Sequence, residues 1–111
     1  MGLYEEAAEV LTKGIALGDH PAIYSYRAFS YRNLRRYPEA LADIEKALKT
    51  RPHDPFILKE KAYCLVEMGD AEKAYETILM ALRYDPQNER LLALRRKLEE
   101  SSPEIKKVLG R

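Results

Sequence analysis

Cysteine is nearly missing from this chain. Cys64 stands alone, which excludes an internal disulfide framework and points to a reducing, cytoplasmic compartment. An excess of charge of one sign is missing too. The net charge is +1 with both signs interspersed, so no strong field steers nucleic acid or a membrane surface. No apolar run reaches the roughly 18 residues of a membrane helix, and no charged-then-apolar leader opens the chain. Glu6 stands where a myristoylation signal carries Ser or Thr. The abrupt opening Gly2-Leu3-Tyr4 reads as part of a longer protein, which leaves a removed targeting segment open. Glycine-rich phosphate loops, zinc-protease spacing and a nucleophile elbow are all absent, so the expectation is no enzyme and no cofactor.

What is present is a repeat. With 46% hydrophobic and 33% charged residues, the chain can bury a core and remain soluble. Tyr37–Asp54 returns 34 residues later as Ala71–Asn88. Ala40, Ile44, Ala47, Leu48 and Pro52 reappear as Ala74, Ile78, Ala81, Leu82 and Pro86. Their three- and four-residue steps line one face of a helix. Alanine leaves room for a neighbouring helix, and proline closes each unit because its ring cannot continue the helix. A fixed period of this length indicates stacked units.

Taken in order, Leu3 to Leu17 reads as a first helix, a divergent copy with Tyr4, Ala7, Leu11, Gly14 and Ile15 on one face. Pro21 opens a second helix to Leu34, with Ile23, Tyr24, Ala28, Tyr31 and Leu34 as its inner stripe. Arg35-Arg36 occupies the turn where the next repeat has Gly69-Asp70, and arginine is penalised there if the turn needs φ > 0. Pro38 opens the third helix, to about Arg51. Asp54-Pro55 starts the fourth, which should bury Ile57, Leu58, Ala62, Leu65 and Met68. Asp70 caps a fifth, Ala71 to Tyr84. Asn88 begins a sixth, to about Glu100, with Leu91, Leu92, Leu94 and Leu98 available for burial and an otherwise charged surface that would cap a stack. Residues 101–111 form a tail, with at most a short helix ending near Gly110.

Paired helices, the 34-residue period, small residues at fixed places and the closing proline resemble the tetratricopeptide repeat (TPR) family over residues 2–100. The family's aromatic, Leu-Gly, Tyr pattern reads here as Tyr24, Arg27-Ala28, Tyr31 and as Leu58, Lys61-Ala62, Leu65. Arg27 and Lys61 replace leucine and should run their aliphatic stems along the core edge. The resemblance implies an all-α, right-handed α-α superhelix, a TPR solenoid of about two and a half repeats plus a C-terminal capping helix. It forms a single domain, with a half repeat at 2–20, repeats at 21–54 and 55–88, a capping helix at 89–100 and the tail.

The resemblance also implies a concave groove lined by the first helix of each pair. Helical geometry picks out the same faces: Ala22, Tyr26, Phe29 and Asn33 on the second helix, and Phe56, Glu60, Tyr63 and Glu67 on the fourth. Phe29 and Tyr63 hold equivalent places and should stand about 10 Å apart, as packed helices do. Arg32, Lys59 and Glu60 flank this aromatic strip, and aromatics are the usual anchors of binding hot spots. The competing reading is that these rings merely wedge between helices. TPR domains that take the acidic tails of heat-shock chaperones use a carboxylate clamp of Lys, Asn and Arg on these faces. That pattern would put Asn at Tyr26, Lys at Phe56 and Arg at Glu60, and none matches. The expectation is therefore that carboxylate-clamp chaperone tails are disfavoured and that the groove takes an apolar or mixed peptide, or an amphipathic helix.

Other sites have simpler explanations. His20 and His53 sit in equivalent loops beside Asp19 and Asp54, but no further ligands converge to make a metal site. Cys64 reads as a small buried hydrophobe with no activating histidine nearby. Arg35-Arg36 and Arg95-Arg96-Lys97 could touch phosphates, yet acidic neighbours make them solvated helix faces. The leading expectation is an adaptor that binds a peptide or partner protein in its groove. The alternative is self-assembly as a homo-oligomer through Leu3, Ala7, Val10 and Leu11 on the first helix, with nucleic-acid binding a weaker third.

Overall fold

Several helices begin where the sequence supplies proline or a short polar side chain. The computed structural model describes residues 2–18 and 20–109; the expectations placed on Asp19 and Gly110 lie outside them. Seven helices and no strand occur among the described residues: α1 (Leu3–Leu17), α2 (Pro21–Asn33), α3 (Tyr37–Thr50), α4 (Pro55–Glu67), α5 (Ala71–Tyr84), α6 (Glu89–Ser101) and α7 (Ile105–Leu109). Asp54 accepts from the Phe56 and Ile57 amides at 2.9 and 3.4 Å, Asp70 from Lys73 at 3.2 Å and Asn88 from Leu91 at 3.0 Å. Each bond satisfies a first-turn N–H that has no partner within the helix. None of the described helices is long and apolar enough to cross a membrane.

The chain divides into two compact units, Met1–Pro52 and His53–Arg111. In the first, α1 and α3 both pack on α2. Its buried residues are small, apart from Ile44 and Asp43: Ala8, Ala28, Ala40, Ala47, Ser25 and Ser30. The stripe expected on α2 is only partly sealed, since Ile23, Tyr24, Tyr31 and Leu34 are half-buried while Ala28 is closed off. On α1, Leu3 and Val10 are exposed and Ala7 and Leu11 half-buried.

In the second unit α5 packs against α4, α6 and α7. The core is larger: Ile57, Leu58, Cys64 and Leu65 from α4, Tyr75, Ile78 and Leu82 from α5, and Leu91, Leu94 and Leu98 from α6. Ile105 of α7 joins it, so the tail contributes to the core. Met68 departs from expectation. It is 48% exposed, because α4 ends at Glu67 and Met68 is the C-cap, already leaving the buried stripe. Leu92 is half-buried.

Both inter-helix turns close in the same way. The Arg36 amide donates to the Tyr31 carbonyl at 2.8 Å and the Arg35 amide to Arg32 at 3.0 Å; Asp70 and Gly69 repeat this onto Leu65 and Val66 at 2.9 and 3.0 Å. This is the Schellman closure, which requires a left-handed residue at its centre. Gly69 takes φ 83° and Arg35 takes φ 62°, so arginine carries the penalty foreseen for it.

Candidate functional site

On α2, Tyr26 is the most exposed of the nominated aromatics, at 58%. Ala22, Phe29, Arg32 and Asn33 are half-buried. The Phe29 ring meets Tyr4 of α1 edge to face, with centroids 6.1 Å apart, and the Arg32 guanidinium lies 5.5 Å from the Phe29 centroid. Asn33 donates its amide to the Phe29 carbonyl at 2.8 Å. Phe29 therefore helps hold α1 to α2, while Tyr26 is available to a ligand.

On α4, Phe56 is 37% exposed, with the Lys59 ammonium 4.9 Å from its ring centroid. Glu67 is exposed and Tyr63 half-buried. Glu60 differs from its nomination as a flanking surface charge. It is only 1% exposed, with its carboxylate 3.9 Å from the Lys59 ammonium. Stepping by helical period places it beside exposed Phe56, but that step does not report how much the surroundings cover it.

Two features escaped the sequence. The first is Arg27, whose guanidinium forks onto the buried Asp43 carboxylate with two bonds of 2.7 Å and also donates to the Thr12 hydroxyl at 3.1 Å. It lies 5.9 and 5.3 Å from the Tyr24 and Tyr31 ring centroids. Bonding to Asp43 holds the Arg27 pKa above its usual value, although burial opposes it. A stem running along the core edge was expected; instead the charged head is pinned inward and ties α1, α2 and α3 together. The signal was there in Asp43, an acid set between Ala40 and Ile44 on an otherwise apolar stripe.

The second is a cleft of about 280 Å³ between α4 and α6, lined by Tyr63, Arg90, Ala93, Leu94 and Lys97. Tyr75 of α5 donates its hydroxyl to Glu99 and so helps position α6. Burial, and then that carboxylate, raises the Tyr75 pKa. His53 does not approach a metal cluster; its ring stacks on Tyr84 at 4.4 Å, and no group of three or more potential ligands occurs among the described residues.

A family model described as tetratricopeptide repeat matches residues 31–98. The chain belongs to the tetratricopeptide repeat family. This TPR chain is 35% identical over 99 residues to the Hsp70-Hsp90 organizing protein of Triticum aestivum, spanning 87% of itself and 17% of that relative's length. Its fold matches the second TPR domain of human RPAP3 in complex with the HSP70 peptide SGPTIEEVD, at TM-score 0.80 and 24% identity over 88% of this chain and 82% of that one. It also matches the first TPR of Spaghetti (RPAP3) bound to the HSP90 peptide SRMEEVD, at TM-score 0.84 and 22% identity over 90% and 80%. The all-α fold is that of TPR solenoid domains, and the family is one of non-enzymatic protein-interaction modules.

These findings correct one expectation. Chaperone tails were disfavoured because Tyr26, Phe56 and Glu60 replace the clamp residues. Yet the wheat relative is an Hsp70-Hsp90 organizing protein, and the two solved neighbours hold HSP70 and HSP90 peptides that end in EEVD. Three positions test one way of holding a carboxylate. Cations elsewhere can hold it by the same charge-assisted bonds.

Proposed function

We propose that this TPR chain is an adaptor module that binds an acidic, extended C-terminal peptide of the chaperone type. The nominated contacts are Ala22, Tyr26, Phe29, Arg32 and Asn33 on the α2 face and, taken separately, Phe56, Lys59, Tyr63 and Glu67 on the α4 face. Glu60, being buried, would support this surface from beneath. The observation that carries the reading is the 35% identity to the wheat Hsp70-Hsp90 organizing protein across 87% of this chain. The exposed ring of Tyr26 and the partly exposed ring of Phe56 supply apolar anchoring area for such a peptide. Nothing in the relatives or the fold favours self-association through α1 over this role.

The test is a fluorescence anisotropy titration of the chain with labelled SGPTIEEVD and SRMEEVD. Saturable binding is expected, weakened about tenfold by Tyr26→Ala, a loss typical of an interface aromatic, with helicity unchanged. Absence of binding to both peptides would overturn the ligand class, and equal binding by Tyr26→Ala would remove the α2 face.

A further inference from the structure

The repeat register continues past the second repeat onto α6. Adding 34 to Phe56, Glu60 and Tyr63 gives Arg90, Leu94 and Lys97. The same step backwards gives Ala22, Tyr26 and Phe29. Arg90, Leu94 and Lys97 therefore hold, on α6, the places that the nominated binding residues hold on α2 and α4. Arg90, Ala93, Leu94 and Lys97 fall three, four and seven residues apart, on one face of the helix. That face borders the 280 Å³ cleft whose opposite wall is Tyr63 of α4.

The chemistry of the cleft differs from that of the α2 and α4 faces. Leu94 is buried and Ala93 is small and exposed, which makes an apolar floor with space above it. Arg90 and Lys97 are exposed and stand at its two ends, about 10 Å apart along the helix at ~1.5 Å per residue. Neither has an ion-pair partner among the described residues, whereas Arg95 on the same helix engages Glu99 at 3.5 Å. An extended peptide advances about 3.3 Å per residue, so two cations at this separation match carboxylates about three residues apart with an apolar side chain between them.

Resting on the proposed function, we infer that the α4–α6 cleft is the acidic-residue subsite of this chain. Arg90 and Lys97 each take a carboxylate of the bound peptide, and the intervening apolar side chain lies on Ala93, Leu94 and Tyr63. This supplies the cations that positions 26, 56 and 60 lack. Arginine can bind its carboxylate in a two-pronged fork, and lysine acts as a point charge.

The experiment uses the whole chain and the two tail peptides, with the double variant Arg90→Glu/Lys97→Glu and the control Arg96→Glu. Arg96 is exposed but lies outside the cleft. All three substitutions are at exposed helix positions, and unchanged helicity is checked first. The double variant should lose at least about tenfold in affinity, and Arg96→Glu less than about twofold. Peptides with glutamine for glutamate should bind the wild-type chain weakly and lose nothing further in the double variant. A double variant that binds the tails as well as wild type overturns the subsite and leaves the proposed function standing. If wild type binds a scrambled peptide of the same composition but neither tail, and the double variant loses that binding, the subsite stands and the chaperone-tail reading falls. A wild-type chain that binds neither the tails nor the scrambled peptide overturns both.

Discussion

The helix pairs α2–α3 and α4–α5 share a register and reach it by different chemistry. At the paired positions 27 and 61 stand arginine and lysine, and at 43 and 77 aspartate and threonine. In the first pair the buried Asp43 must be neutralised, and Arg27 does so with two 2.7 Å bonds. In the second, the buried Thr77 hydroxyl donates to its own helix at the Lys73 carbonyl, 2.8 Å away, and needs no charge brought to it. The first pair closes its turn on Arg35 and starts its helices at His20 and Arg36, neither of which caps through its side chain. The second has Gly69 in the turn and capping aspartates at 54 and 70. One backbone plan thus tolerates a polar pin and a strained turn in one copy, while the other follows the local rules and fills its core with larger aliphatic residues. Local consistency is unequal between repeats, and the ion pair compensates where it is lowest.

The contrast is sharpened most by deleting the pin. Asp43→Ala leaves the Arg27 guanidinium without its partner in a largely buried place and should destabilise the chain by about 3 kcal/mol, the scale for breaking such a pair. Thr77→Ala at the equivalent position should cost about 1 kcal/mol or less. Urea melts of the two variants measure the gap, and equal losses would refute the difference drawn here. Arg27→Leu combined with Asp43→Thr removes both charges together and should recover most of the Asp43→Ala loss.

The turns come next. Arg35→Gly should stabilise by about 0.5–1 kcal/mol, and Gly69→Ala should destabilise by a similar amount. A Cβ on Gly69 would meet nothing within 4 Å, so the cost there is backbone conformation and not crowding. Thermal melts with opposite signs at the two positions are the expected outcome; the same sign at both would break the equivalence of the turns. Asp54→Ala should cost about 1 kcal/mol through loss of its cap, whereas His20→Ala should leave stability nearly unchanged, since His20 makes no capping bond. The smallest effect is at Arg36, whose ion pair with Glu39 is exposed: Arg36→Ala should leave the Tm of the chain unmoved.

The repeat was legible because it is written twice over at a constant step. The two alanine pairs, Ala40/Ala74 and Ala47/Ala81, that identify it are fully buried, as close helix packing demands. The positive φ at Arg35 was readable from its alignment with Gly69. The burial of Glu60 and the Arg27–Asp43 fork were not, because each depends on residues distant in sequence. The α4–α6 cleft was half legible. Counting 34 onward reaches Arg90 and Lys97, but a charged terminal helix reads first as a solvated cap.

The sequence alone determined the helices α1–α6, their period, the proline or capping starts of α2–α6 and the alanine positions at which they pack closely. Those features are set by neighbours within a few positions along the chain, where spacing and residue type act directly. Tertiary structure alone decided which charges are pinned, which rings are left open and where a cavity remains between α4 and α6. Burial and pairing are properties of surfaces brought together from separate helices, and no periodicity along one helix records what the facing helix will cover.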